Sequence, residues 1–224
     1  MNVTMNVILF GASGMVGQGV LRESLLDPTV QRVLVVGRSP IGQQHPKLQE
    51  LIVPDLMNLS AIEPQLTGYD ACFFCTGVSS AGMSEEQYTR LTYDLTLNVA
   101  ETLARLTPRM TFIYVSGQGT DSSEKGKVMW ARVKGRTENA LLRLPLKAYI
   151  FRPGFIQPLH GIRSKTRLYQ LLYDVLAPFQ PLFKGRLPKY ITTTERIGYA
   201  MLAVADGGYP TRILESEDIN RIER

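Results

Sequence analysis

The stretch ILFGASGMVGQG, residues 8–19, constrains the fold more than any other. An apolar run, residues 5–10, reads as a strand and meets Gly11, Gly14 and Gly17 where a helix begins, from about Gly14 to Leu26. Glycines at such a junction permit a tight turn, close approach of the backbone to a pyrophosphate, and close helix–strand packing. The helix N-terminus adds free N–H groups and the positive end of its dipole. Ser13 can add a hydroxyl donor. The spacing is G-x-x-G-x-x-G, not the commoner G-x-G-x-x-G. Its place between a first strand and a first helix favours dinucleotide binding over a turn needed only for packing.

The rest of the chain repeats that rhythm. Strands are expected at 32–37, 48–54, 70–77, 110–117 and 147–154, with a long helix over 84–106 and another over the stretch VMWARVKGRTENAL, 128–141. Near-continuous apolar strands alternating with helices predict an α/β fold, a doubly wound parallel sheet covered on both faces. The 224 residues suit one domain, with a core at about 5–154 and a smaller C-terminal substrate or lid part at about 155–224.

After strand two stands VVGRSP, with Gly37 and Arg38 where an NAD site usually has an acid. A guanidinium attracts a 2′-phosphate with paired donors. NADP(H) is therefore favoured, and NAD(H) stays possible.

Past Gly154 the rhythm breaks. Residues 155–190 carry Arg163, Lys165, Arg167, Lys184, Arg186 and Lys189 against one acid, Asp174. Leu168, Leu171, Leu172, Val175, Leu176 and Phe179 fall on one helical face. That face packs on the body, closes over substrate, or touches a membrane surface; packing is the favoured reading. TTTERIGYAMLAVAD, 192–206, predicts an amphipathic helix with a threonine cap and Glu195 in its first turn, and TRILESEDINRI, 211–222, a short strand and a last turn.

A net charge of +5, from 25 basic and 20 acidic residues, is too modest to argue for nucleic acid. Cys72 and Cys75 lie in one buried strand, and residues three apart on a strand point to opposite faces. They read as reduced structural thiols rather than a redox pair or half a zinc site. His45 and His160 sit in polar contexts, so no metal is expected. No signal peptide or membrane span is visible, and a cytoplasmic location is expected.

GASGMVG, VVGR, PDL, CTG, YVSG, VKGRTENAL and FRPGFIQP occur in that order between about residues 5 and 205. Together they resemble the short-chain dehydrogenase/reductase superfamily, most of all the atypical NAD(P)-binding, Rossmann-like branch that includes the Tat-interactive-protein-like proteins. The resemblance implies that Gly11, Ser13, Gly14, Met15, Val16 and Gly17 line the pyrophosphate, and that Arg38 takes the adenine-side phosphate. It implies Asp55 and Leu56 beside adenine, Cys75, Thr76 and Gly77 beside the ribose, and Lys134 on the nicotinamide ribose. Arg152, Pro153 and Gly154 would form the turn past nicotinamide. Asn98 matches a residue that often holds a proton-relay water, and Ser116 lies close to the family's serine.

One position departs. Trp130 stands one helical turn before Lys134, where the superfamily's catalytic tyrosine is expected. An indole N–H donates a hydrogen bond but does not titrate in water. Two readings follow: an NADP(H)-dependent reductase or epimerase-like enzyme of a small carbonyl or hydroxyl substrate with another acid, or an NADPH-sensing protein that binds a protein partner. Asn98, Ser116 and Lys134 would be spare parts in a pure sensor, which favours the enzyme.

Overall fold

The computed structural model of the protein describes residues 4–162 and 189–223. The expected helical face at 168–179 and most of the basic segment around it lie outside the described residues.

Seven parallel strands form the sheet: β1 (Met5–Phe10), β2 (Val30–Gly37), β3 (Leu48–Ile52), β4 (Ala71–Phe74), β5 (Thr111–Val115), β6 (Lys147–Arg152) and β9 (Ile213–Glu215). Their spatial order is β3-β2-β1-β4-β5-β6-β9. The order reverses between β1 and β4, and the crevice beyond the carboxyl ends of strands at such a switch point is where open α/β sheets bind ligands. Helices α1 (Met15–Leu26) and α5 (Thr194–Gly207) cover one face. Helices α3 (Leu95–Leu106) and α4 (Met129–Arg143) cover the other. Both faces are therefore buried, which is why the central strands are apolar at nearly every position.

On the first face α1 and α5 touch backbone to backbone. A Cβ on Gly19 would lie 2.6 Å from the Thr194 carbonyl oxygen, and one on Gly198 would lie 2.8 Å from Glu23 Cγ. Thr193 caps α5 by accepting from the Arg196 N–H at 3.0 Å, as its sequence predicts.

Several strands end sooner than the apolar runs suggest. β4 stops at Phe74, although Cys75 still donates to the Phe10 carbonyl at 2.9 Å; beyond it the chain leaves the ladder and the crevice opens. β5 and β6 stop at Val115 and Arg152, yet their loops stay joined. Ser116 N–H donates to the Phe151 carbonyl at 2.8 Å and Gln118 N–H to the Pro153 carbonyl at 2.9 Å.

The helix expected over 84–106 is interrupted. Ser84 and Gln87 form a capping box for α2 (Glu85–Thr89), a π segment follows at Arg90–Asp94, and α3 continues from Leu95. A π turn accommodates one extra residue, so apolar periodicity alone reads through it. A small second sheet, β7 (Phe155–Gln157) with β8 (Ile191–Thr193), is also beyond the sequence reading, because three-residue strands carry too little pattern. The tail holds the expected strand β9, followed by a helix, α6 (Ser216–Arg221).

Candidate functional site

The glycine loop is shaped by its own backbone. Gly11 takes φ +83°, and a Cβ there would lie 2.6 Å from the Cys75 carbonyl carbon, because the ends of β1 and β4 run side by side. A Cβ on Gly17 would lie 2.0 Å from the Gly11 carbonyl oxygen. Gly14 differs: its φ of −80° suits any residue. A Cβ there would meet only the Gly11 carbonyl oxygen, at 3.4 Å. The protein's own atoms barely demand a glycine at this position, as expected if the space belongs to a ligand. Gly14 caps α1 without a side-chain hydrogen bond, so the N–H groups of Met15, Val16 and Gly17 in the first turn have no side-chain cap.

Beside the loop lies a cavity of about 550 Å³. Arg38, Asp55, Leu56 and Thr76, which the family resemblance implies for the adenosine half, all line it. Thr76 Oγ1 is buried with no hydrogen-bond partner among the described residues. A buried hydroxyl without a partner costs about 1–3 kcal/mol, and a ribose hydroxyl or phosphate oxygen would satisfy it. This orphan, the open first turn and the Gly14 space together fit a dinucleotide. Asp55 does two things: its Oδ1 accepts from the Met57 N–H at 2.9 Å, forming a turn, while the residue also faces the cavity. Cys75 and Gly77 flank Thr76; burial pushes the Cys75 thiol up, away from reactive thiolate chemistry.

The reaction end gathers three of the four expected residues. Lys134, on α4, donates from Nζ to the Ser116 carbonyl at 2.8 Å. Trp130, one turn earlier, brings its ring against Gly119, where a Cβ would lie 3.4 Å from Cη2. Both side chains thus pack on the loop after β5, at the carboxyl end of the sheet. Burial lowers the Lys134 pKa to about 8, and the carboxylate of Glu138 opposes that shift. Ser116 is buried, with its Oγ 3.1 Å from Thr120 Oγ1, and Thr120 directs its own proton to the Gly117 carbonyl at 2.8 Å.

Asn98 stands apart. Its amide nitrogen donates to the Leu56 carbonyl at 3.1 Å, which ties α3 to the segment after β3 that lines the cavity. Arg152 begins the turn expected past nicotinamide, and its side chain runs to Glu138 on α4. Its Nε lies 3.1 Å from both carboxylate oxygens of Glu138, which is fully buried; a further guanidinium nitrogen bonds the same carboxylate and Ser122 Oγ. Pro153 offers its carbonyl to Gln118, and the Gln118 side chain lies over Gly154, where a Cβ would be 2.6 Å from Oε1. Sequence reasoning missed Gln118, Thr120 and the cavity wall of Met83, Gln87, Arg90, Leu91 and Leu95.

Residues 7–126 match the NAD dependent epimerase/dehydratase family. Protein fmp52, mitochondrial, of Emericella nidulans is 29% identical over 170 residues, 72% of this chain and 70% of that protein. Protein HTATIP2 of Rattus norvegicus is 27% identical over 154 residues, 67% of this chain and 62% of that protein. Among solved structures, the Bordetella bronchiseptica enzyme WbmF in complex with NAD+ superposes with a TM-score of 0.67 at 16% identity, covering 97% of this chain and 77% of that one. Among the described residues no helix is long and apolar enough to cross a membrane. The chain belongs to the NAD dependent epimerase/dehydratase family, on the atypical short-chain dehydrogenase/reductase branch that includes HTATIP2.

Proposed function

We propose that the protein is an NADP(H)-dependent reductase or epimerase-like enzyme acting on a small carbonyl or hydroxyl compound, with Lys134 handling the proton that an aromatic hydroxyl would otherwise carry. The observation that supports this most is the Lys134 ammonium, oriented by the Ser116 carbonyl at 2.8 Å and lowered by burial to about 8. A bound nicotinamide dinucleotide would supply or receive the hydride. Lys134 holds a proton on Nζ that is acidic enough to give up near neutral pH. Gln118, exposed beside Gly154, offers an amide that can hold a substrate oxygen but cannot protonate it. Trp130 walls the loop side of the site. Arg38 on the adenosine cavity supports NADP(H), with NAD(H) as the alternative. The two free thiols suit a reducing compartment such as the cytoplasm; the mitochondrial label belongs to the fungal relatives.

NADPH oxidation against a panel of small aldehydes and ketones tests the reading. The rate should hold below pH 8 and fall as pH rises through about 8, as Lys134 loses its proton. Lys134→Met should lose about a hundredfold or more. Lys134→Arg keeps the charge without titrating, so it should restore neither the rate nor the break. A rate indifferent to both the substitution and pH would contradict the role.

A second reading has its own support. The Ser116 hydroxyl is engaged by Thr120 and the Asn98 amide by Leu56, so these groups are not idle without chemistry. On this reading the protein senses NADPH and passes the signal to a protein partner. No turnover across the panel, with tight NADPH binding and a partner retained only with NADPH, would favour it.

A further inference from the structure

We infer that Arg90 is a specificity-determining residue, a second cationic grip on the phosphate monoester at the adenosine 2′ position. The inference rests on the NADP(H) reading above. Arg38, from the loop after β2, and Arg90, from the start of the π segment, line one cavity of about 550 Å³. Many arginines of this chain are neutralised by carboxylates: Arg105 by Glu63, Arg132 by Glu85, Arg152 by Glu138. Neither Arg38 nor Arg90 has an ion pair among the described residues, although Asp55 lines the same cavity. Two guanidinium groups on one cavity repel each other, and a bound dianion turns that repulsion into a shared attraction.

The backbone presents Arg90 from a fixed base. It opens the π segment Arg90–Asp94, and such interruptions recur at functional sites. Arg90, Leu91 and Leu95 all line the cavity. The segment is anchored by buried Tyr88, by Arg132 on Glu85 at 2.6 Å, and by the Arg136 guanidinium 4.2 Å above the Tyr93 ring. The apolar neighbours suit the adenine face, and the two arginines suit the phosphate beside it. A planar fork of donors matches a phosphate monoester better than a single ammonium does.

The test is calorimetry on the full chain with NADPH, NADH, adenosine 2′,5′-bisphosphate and 5′-AMP. The proteins compared are the wild type, Arg38→Gln, Arg90→Gln and Arg90→Lys. Arg90 is exposed, so folding is not at issue. Arg90→Gln should weaken NADPH and the bisphosphate by about tenfold or more, the worth of a charge-assisted contact. NADH and AMP should be unchanged, and Arg90→Lys should recover part of the loss. If the wild type prefers NADPH and Arg90→Gln weakens NADPH and NADH equally, or neither, the NADP(H) reading stands and the role of Arg90 is overturned. A wild type without preference for NADPH would overturn both.

Discussion

Gly17→Ala is expected to lower both the stability of the protein and its affinity for dinucleotide. The new methyl would sit 2.0 Å from the Gly11 carbonyl oxygen and 2.9 Å from Ala12 Cα, both backbone atoms, so the turn between β1 and α1 must move. Forced overpacking of this kind typically costs about 1–3 kcal/mol. The displaced turn also takes the first N–H groups of α1 out of line with a diphosphate. Losing two charge-assisted hydrogen bonds is worth about 3 kcal/mol or more, roughly a hundredfold in affinity. Gly14→Ala is the informative contrast. Its methyl meets protein only at 3.4 Å, with an ordinary φ of −80°, so stability should hold while dinucleotide binding suffers. Urea unfolding and calorimetry on both variants check this. Equal affinity loss with equal stability loss in both would contradict the assignment of the Gly14 space to a ligand.

Glu138→Ala is expected to be the most destabilising substitution outside the loop. Glu138 is fully buried on α4, and its carboxylate faces Arg152, whose side chain is only 12% exposed. Removing one partner of a buried ion pair leaves the other charge stranded, typically at about 3–5 kcal/mol. Glu215 lies 3.5 Å from another nitrogen of Arg152 and offsets part of that cost, being half-exposed itself. The paired change Glu138→Leu with Arg152→Met should be less harmful than Glu138→Ala alone, since hydrophobic replacement of a whole pair is often close to neutral. Denaturant melts of the singles and the double measure the coupling. A loss below about 1 kcal/mol for Glu138→Ala would mean that the pair is solvated and interchangeable.

The pair also shows why part of the site was hidden in the sequence. Glu138 lies four residues after Lys134, a spacing that suggests a solvated helical partnership. In the fold Glu138 instead turns to Arg152 on β6, and Lys134 donates to the Ser116 carbonyl just after β5. Spacing along a helix tells which residues share a face; it does not tell which strand that face meets. The sheet, its covered faces and the glycine loop were legible because each depends on local pattern: apolar runs, helical period and glycines at a strand–helix junction. Arg38 stood out by its place after β2, and Asp55, Leu56 and Thr76 through the family resemblance; all four line one cavity. For Asn98, motif order fixes its helix but not which neighbour its amide reaches. Arg90 and Gln118 were invisible because a π turn and a loop-to-loop hydrogen bond leave no periodic trace.

We propose that the N-terminal turn holds a dinucleotide diphosphate while the cavity lined by Arg38 holds its 2′-phosphate. Titrating the purified protein with NADPH and NADH by calorimetry addresses it directly. Saturable one-to-one heat is expected with NADPH, weaker heat with NADH, and loss of the difference in Arg38→Gln. No heat with either reduced dinucleotide, or tighter binding of NADH, would contradict it.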